Sequence, residues 1–405
     1  MLKLGVTFLA ILVLSEAAID INGRIQKFFE EVQKNDTLMH YYLEHLKEHK
    51  NARERYMQHK ARTDRATHQF TCLNDYSILQ SFPTNVHSLR PEHISVIAAM
   101  GDSLTAGNGI LGTNILDCLT EYRGRSWSIG GDLNFDQGVE TLPNILKKYN
   151  PMLHGYSLGK CDTSNYACSQ LNVAVAGAVA NDMPSQAVEL VRRLNDTNFG
   201  VDTNNEWKVI TLFIGGNDLC DICNNADLHS PNTYINKIRE ALDYLHANVP
   251  KAFVNLVEIF DITPLAKVSQ GFFCNLITQS VCGCARNTGN NAMLQWASGE
   301  YQASVRNLVA SGRYDTRNDF TVVLQPFFRN TEPVKDYTGS YDLAYFAPDC
   351  FHFSDLGANA AGKSLWNNMI EPESMKQIYW HLNDPYHCPH THTANNGAVF
   401  QTRLN

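Results

Sequence analysis

Three side chains far apart in this sequence could together make an activated nucleophile. Ser103 lies in Gly101-Asp102-Ser103-Leu104, directly after the apolar run Ile94–Met100 and before the small-residue loop Thr105–Gly109. A residue just past the carboxyl end of a buried parallel strand stands where open α/β sheets bind ligands. A serine hydroxyl is a weak nucleophile until a base takes its proton, and an imidazole base needs an acceptor to fix its tautomer. Asp349 and His352 supply both in Ala347-Pro348-Asp349-Cys350-Phe351-His352. Three residues apart, they come side by side in one helical turn or tight loop. Asp355 is a rival carboxylate at the same spacing, but the Leu356-Gly357-Ala358-Asn359 that follows makes it the cap of the last helix.

An attacked carbonyl also needs donors for its developing negative charge. Gly177 follows the run Asn172–Ala176, and Gly215-Gly216-Asn217-Asp218 follows Lys208–Ile214. Small residues at strand ends leave backbone N–H groups open, and Asn217 adds an amide. By itself Gly216-Asn217 would read as a plain turn. The pattern Gly155-Tyr156-Ser157-Leu158-Gly159 offers a second serine. A G-x-S-x-G nucleophile needs a strand before it and a helix after it. Loop residues stand on both sides here, so this segment reads as a turn.

The elements that must hold these residues follow from hydrophobic patterning. Strands are expected at Ile94–Met100, Leu171–Ala176, Lys208–Ile214, Ala252–Ile259 and Phe320–Leu324, with helices at Pro184–Leu194, Thr233–Ala247 and Ala292–Ala310 between them. Near-continuous apolar strands with helical crossovers form a parallel sheet covered on both faces. Residues 90–380 therefore read as one α/β domain. Residues 18–89 read as a helical extension: Ile25, Phe28, Phe29 and Val32, then Met39, Tyr42, Leu43 and Leu46, keep helical spacing. Residues 381–405 read as a tail.

The 405 residues are 44% hydrophobic and 18% charged, the profile of a folded globular chain. A formal charge of −8 argues against a broadly cationic nucleic-acid surface. Residues 1–17 carry Lys3, the apolar Leu4–Leu14 and the small residues Ser15 and Ala17, which reads as a cleaved signal peptide too short to span a bilayer. A secreted, extracellular protein without a membrane anchor is expected. Eleven cysteines fit that oxidising route, with one left unpaired if the rest form disulfides. Asn35 and Asn195 head the sequons Asn-Asp-Thr and become glycosylation sites on the same route.

Weaker signals have ordinary explanations. His45 and His49 are one turn apart, but with Lys47 and Glu48 between them they read as a solvated helix face. Cys220-Asp221-Ile222-Cys223 reads as structural disulfides stiffening the Asn217 loop. His387, His390 and His392 lack a placed fourth metal ligand. Gly271–Ile277 reads as an interfacial lid or as core.

Taken in order, these blocks resemble the GDSL (SGNH) hydrolase superfamily, and within it the phospholipase B-like lipases. The resemblance covers residues 90–372: Ala99–Gly107, Gly177, Gly215–Asp218 and Phe346–Phe353, continuing to Leu365-Trp366-Asn367-Asn368-Met369. It implies a three-layer α/β/α sandwich with a central parallel sheet of about five strands and a serine esterase that needs no cofactor or metal. It implies Ser103 as nucleophile, His352 as base, Asp349 as its orienter, and Ser103, Gly177 and Asn217 as the oxyanion hole. The implied substrates are phospholipids or other lipid esters, met in transient contact with a membrane or micelle, with no obligate protein partner. An esterase for acyl glycerols or other small esters, and a catalytically silent binding protein on the same fold, are the rival readings.

Overall fold

The computed structural model describes residues 19–63, 70–73, 83–265, 271–336, 339–380, 384–389 and 400. The expected signal peptide at 1–17, and His390 and His392, lie outside the described residues. Four parallel strands, β1 (Ile94–Gly101), β2 (Trp207–Phe213), β3 (Ala252–Val257) and β4 (Phe320–Gln325), stand in the order β1-β2-β3-β4. All but Ser95 of their residues are buried, as near-continuous apolar runs require.

The ten helices used below are α1 (Ile21–Gln33), α2 (Asp36–Thr63), α3 (Ser103–Ala106), α4 (Leu142–Leu146), α5 (Met183–Leu194), α6 (Gly216–Asp221), α7 (Pro231–Asn248), α8 (Phe272–Val281), α9 (Asn291–Ala310) and α10 (Asp355–Ile370). Crossovers in one direction along the sheet lie on one face by the right-handed rule, and α5, α7 and α9 pack together as that layer. Helices α4 and α10 pack against each other beneath the sheet, where Met369 Sδ meets the Asn255 amide of β3 at 3.5 Å. Local chemistry starts the helices: Ser230 caps α7 with Pro231 in its first turn, two residues ahead of the expected Thr233, and Ser354 caps α10. Asp355 is thus the first residue inside α10 and not its cap.

The expected fifth strand, Leu171–Ala176, lies beside β1 but makes one isolated bridge, Ala99 with Asn172. Its inward groups do pair: Ala99 N–H donates to Leu171 O, and Val173 and Val175 N–H donate to Ala99 O and Gly101 O. The outward groups explain the irregularity. Asn172 Oδ1 turns back to accept from Ala174 N–H, while the Arg123 guanidinium takes the Asn172 and Ala174 carbonyls at 3.0 and 2.7 Å. A side chain thus seals the sheet edge against further pairing. With this segment counted, the chain leaves β1 in one direction and returns past it to β2, so the connections diverge between β1 and β2. Ligands of open α/β sheets bind at such a point.

The extension docks on the main domain. Ile21, Ile25, Phe28 and Val32 of α1 are buried, and Phe273 of α8 packs on Phe28 and Tyr42 at ring distances of 5.5 and 5.1 Å. Burying each such side chain contributes roughly 1.5–3 kcal/mol. Leu43 departs from the expected stripe and stays 57% exposed. Five disulfides tie the chain: Cys72–Cys388, Cys161–Cys168, Cys220–Cys282, Cys223–Cys284 and Cys274–Cys350. Cys118 is the free thiol.

Candidate active site

Ser103 opens α3 at the end of β1, and several side chains hold that junction. Gly101 has φ +154°, and a Cβ there would stand 2.4 Å from the Phe213 carbonyl oxygen of β2. Gln186 of α5 clamps the same glycine, accepting from its N–H and donating to its carbonyl, both at 2.8 Å. Asp102 caps α3 by accepting from Leu104 N–H at 2.9 Å, and Trp127 donates to Leu104 O at 3.1 Å. Burial pushes the Asp102 carboxyl up to about 7. The serine is therefore presented by a turn fixed on every side.

His352 arrives from the other end of the chain. Its Nδ1 lies 2.5 Å from Asp349 Oδ2 and its Nε2 lies 2.8 Å from Ser103 Oγ. With Nδ1–H donated to the carboxylate, Nε2 keeps the lone pair that accepts from the serine hydroxyl. Asp349 Oδ1 accepts from the N–H groups of Phe351 and His352 at 3.1 and 3.0 Å. Burial acts to raise the Asp349 pKa, but the His352 imidazole and these donors outweigh it and hold the carboxyl below its usual range. Asp355 turns away from His352 and pairs with Arg53 at 2.7 Å.

Of the other expected oxyanion residues, Asn217 lies in the first turn of α6 and Gly177 in a loop, and the two segments are hydrogen-bonded to one another. Asn217 Nδ2 donates to Ala178 O at 2.9 Å, and the Asp218 carboxylate accepts from Ala180 N–H at 3.0 Å. Ser103 and Asn217 share a cleft of about 710 Å³, its open mouth included; Gly177 is not on its lining. Gly177 has φ +79°, its carbonyl accepts from Ile19 N–H at 2.8 Å, and a Cβ there would stand 1.9 Å from Ile19 O. The rest of the cleft is largely apolar, with Leu104, Phe260, Ile262, Leu265, Phe328 and Trp380 in its walls. Ser157 is buried away from this cleft and donates to Ser169 O at 2.9 Å, a turn as expected.

Other motifs resolve differently. Cys220 and Cys223 form two side-by-side disulfides to Cys282 and Cys284, bracing the helix that begins with Gly216-Asn217. Gly271–Ile277 opens α8; Phe273 is buried while Phe272 is 50% exposed. His387 pairs with Glu371 at 3.1 Å. His45 and His49 are not on a solvated face. Both are buried and hydrogen-bonded to the loop that carries Asp349 and His352. Hydrophobic spacing cannot show this, because a histidine matches a buried polar partner as readily as it matches water. Among the described residues, His45 with Cys274 and Cys350 is the one grouping of metal-ligand type, and its two sulfurs are spent in a disulfide.

A family model for GDSL-like lipase/acylhydrolase matches residues 97–365, a span that holds Ser103, Gly177, Asn217, Asp349 and His352. The chain belongs to this family. Among curated proteins it is similar to human "Phospholipase B1, membrane-associated", 49% identical over 305 residues that cover 73% of this chain and 21% of that protein. The rat protein of the same name is 45% identical over 332 residues, 79% of this chain and 23% of that protein. The chain thus spans roughly a fifth of these relatives' length. A crystal structure of phospholipase A1 from Streptomyces albidoflavus NA297 overlaps at TM-score 0.31 and 16% identity, covering 66% of this chain and 96% of that one, too little to carry an argument. The GDSL-family block at Gly101–Leu104 and the Asp349–His352 pair meet in this structure at hydrogen-bonding distance.

Proposed function

We propose that this protein is a secreted serine-dependent hydrolase of lipid esters, most specifically of glycerophospholipids and lysophospholipids. One observation carries the reading: Ser103 Oγ, His352 and Asp349 form a continuous hydrogen-bonded chain beside an apolar cleft. His352 Nε2 takes the hydroxyl proton as Ser103 Oγ bonds to the acyl carbon. The oxyanion is held by the Ser103 N–H and the Asn217 amide, of residues that line the cleft, whereas Gly177, the third donor expected, lies off that lining beside Ile19. As the ester C–O bond breaks, His352 returns its proton to the leaving alcohol. Water, with His352 again as base, then releases the fatty acid from the acyl-serine.

The cleft walls match an acyl chain, and the relatives named phospholipase B1 support a phospholipid substrate. Among the described residues, no Lys or Arg lines the cleft, while Asp102 and Asp261 do. That observation favours acyl glycerols or other neutral esters as a second reading, because among the described residues no cationic side chain in the cleft pairs with a phosphate. Residues 1–17 act as a cleaved signal peptide, residues 18–89 as a helical extension and 90–380 as the catalytic domain. Asn35 and Asn195 are exposed and carry N-glycans on the secretory route.

The test is fatty-acid release from phosphatidylcholine, lysophosphatidylcholine and triacylglycerol micelles by the wild type and Ser103→Ala. Release from both phospholipids that vanishes in Ser103→Ala supports the proposal. Release from triacylglycerol alone replaces it with the second reading.

A further inference from the structure

The loop bearing Asp349 and His352 is a short hairpin whose free edge is read by α2. Phe346 bridges Phe353, and Ala347 N–H donates to the His352 carbonyl at 2.8 Å. This leaves the Phe346 and Pro348 carbonyls facing α2. His49 Nε2–H donates to Phe346 O at 2.8 Å, and His45 Nε2–H donates to Pro348 O at 2.7 Å. The spacing is matched: four helical residues advance ~6 Å, and two residues of extended chain advance ~6.7 Å. The two imidazole centroids are 6.2 Å apart. Helix α2 thus supplies two rungs where a neighbouring strand would otherwise pair.

The surroundings make this a clamp. His45 stacks on Phe273 at 5.0 Å, and the next residue, Cys274, is disulfide-bonded to Cys350 inside the loop. One turn beyond His49, Arg53 pairs with Asp355 just after the loop. Residues 45, 49 and 53 of one helix face therefore hold the loop and the start of α10. Cys350 has φ +58°, a conformation that persists in a non-glycine residue only where its neighbours enforce it. Burial lowers the pKa of both histidines, that of His45 to about 4.

We propose that His45 and His49 are positioning residues for ester hydrolysis, holding the loop so that His352 keeps its alignment with Ser103, and that α2 is part of the catalytic unit. This rests on the roles given above to Ser103, Asp349 and His352. The test compares His45→Leu and His49→Leu with His45→Gln and His49→Gln in the full chain. It uses turnover of a soluble short-chain ester and the downfield proton NMR signal of His352 Nδ1–H. Each Leu variant should lose about tenfold in kcat at unchanged KM, with the NMR signal broadened. The Gln variants, whose amide N–H still reaches the carbonyl, should recover both. Should the Leu variants fail to fold, Asn, one methylene shorter than Gln, is expected to show the same loss. Wild-type kcat and a sharp signal in the Leu or Asn variants would overturn the proposal, as would equal loss in Gln. A wild type that turns over no ester defeats the hydrolase reading instead, and the NMR comparison still decides whether α2 positions His352.

Discussion

Ser103 and His352 are 249 residues apart in sequence and 2.8 Å apart in space, so each owes its position to different neighbours. For the pair to work, Asp349 must fix the imidazole tautomer. Asp349→Asn should lower kcat by roughly 10³–10⁴-fold with little change in fold, checked by ester turnover beside circular dichroism. Asp102 makes a second prediction. Its carboxyl is raised from the ordinary value to about 7, so between about pH 4 and pH 7 the folded chain holds a proton that the unfolded chain has lost. Stability therefore falls through that window as pH rises. Asp102→Asn removes the penalty and can keep the acceptor for Leu104 N–H. It should gain on the wild type as pH rises, by up to ~4 kcal/mol at neutral pH, measured as the difference in urea unfolding free energy at pH 4, 5.5 and 7. A difference independent of pH would contradict it. Cys118, the leftover thiol, is kept protonated by burial and by the nearby Asp349 charge. The odd cysteine count foretold such a thiol but not its place beside the candidate triad.

At the scale of elements, strand and helix positions were legible because apolar runs and 3.6-residue spacing reflect burial directly. The edge segment was not: Leu171–Ala176 has strand composition, yet Asn172 and Arg123 take its outward backbone groups. Arg123→Ala strands the buried carbonyls of Asn172 and Ala174, frees the half-buried Cys161 carbonyl and leaves Glu121 without its cation, and should cost about 3–5 kcal/mol in urea unfolding. The α10 cap falls one residue from expectation because Ser354 and Asp355 both suit the position: Leu356 N–H donates to both side chains, and only Gly357 N–H, which donates to Ser354 Oγ, separates them. The twin disulfides carry a different prediction. Cys220–Cys282 and Cys223–Cys284 close loops of 62 and 61 residues over nearly the same span. Replacing one pair by serine leaves that span closed, so the loss should be small. Removing both should cost about 4 kcal/mol, a non-additive result readable in the same unfolding experiment.

For the whole molecule, the charge is divided: residues 21–70 hold ten Lys or Arg against seven Asp or Glu, while the chain as a whole is at −8. The extension looked like an appendage because its sequence shows amphipathic helices and nothing of their partners. In the structure it lies against α8 and the His352 loop, and Ile19 covers Gly177. No helix among the described residues is long and apolar enough to cross a membrane. If the chain follows the secretory route, material from a secreting host should lose mass in two steps as Thr37→Ala and Thr197→Ala remove the sequons of Asn35 and Asn195. Unchanged mass in both would contradict that route. The most direct measurement concerns the nucleophile. A fluorophosphonate probe should form one adduct, mapped by peptide mass spectrometry to Ser103, that is absent in Ser103→Ala and intact in Ser157→Ala. Labelling that survives Ser103→Ala, or an adduct on Ser157, would contradict the account.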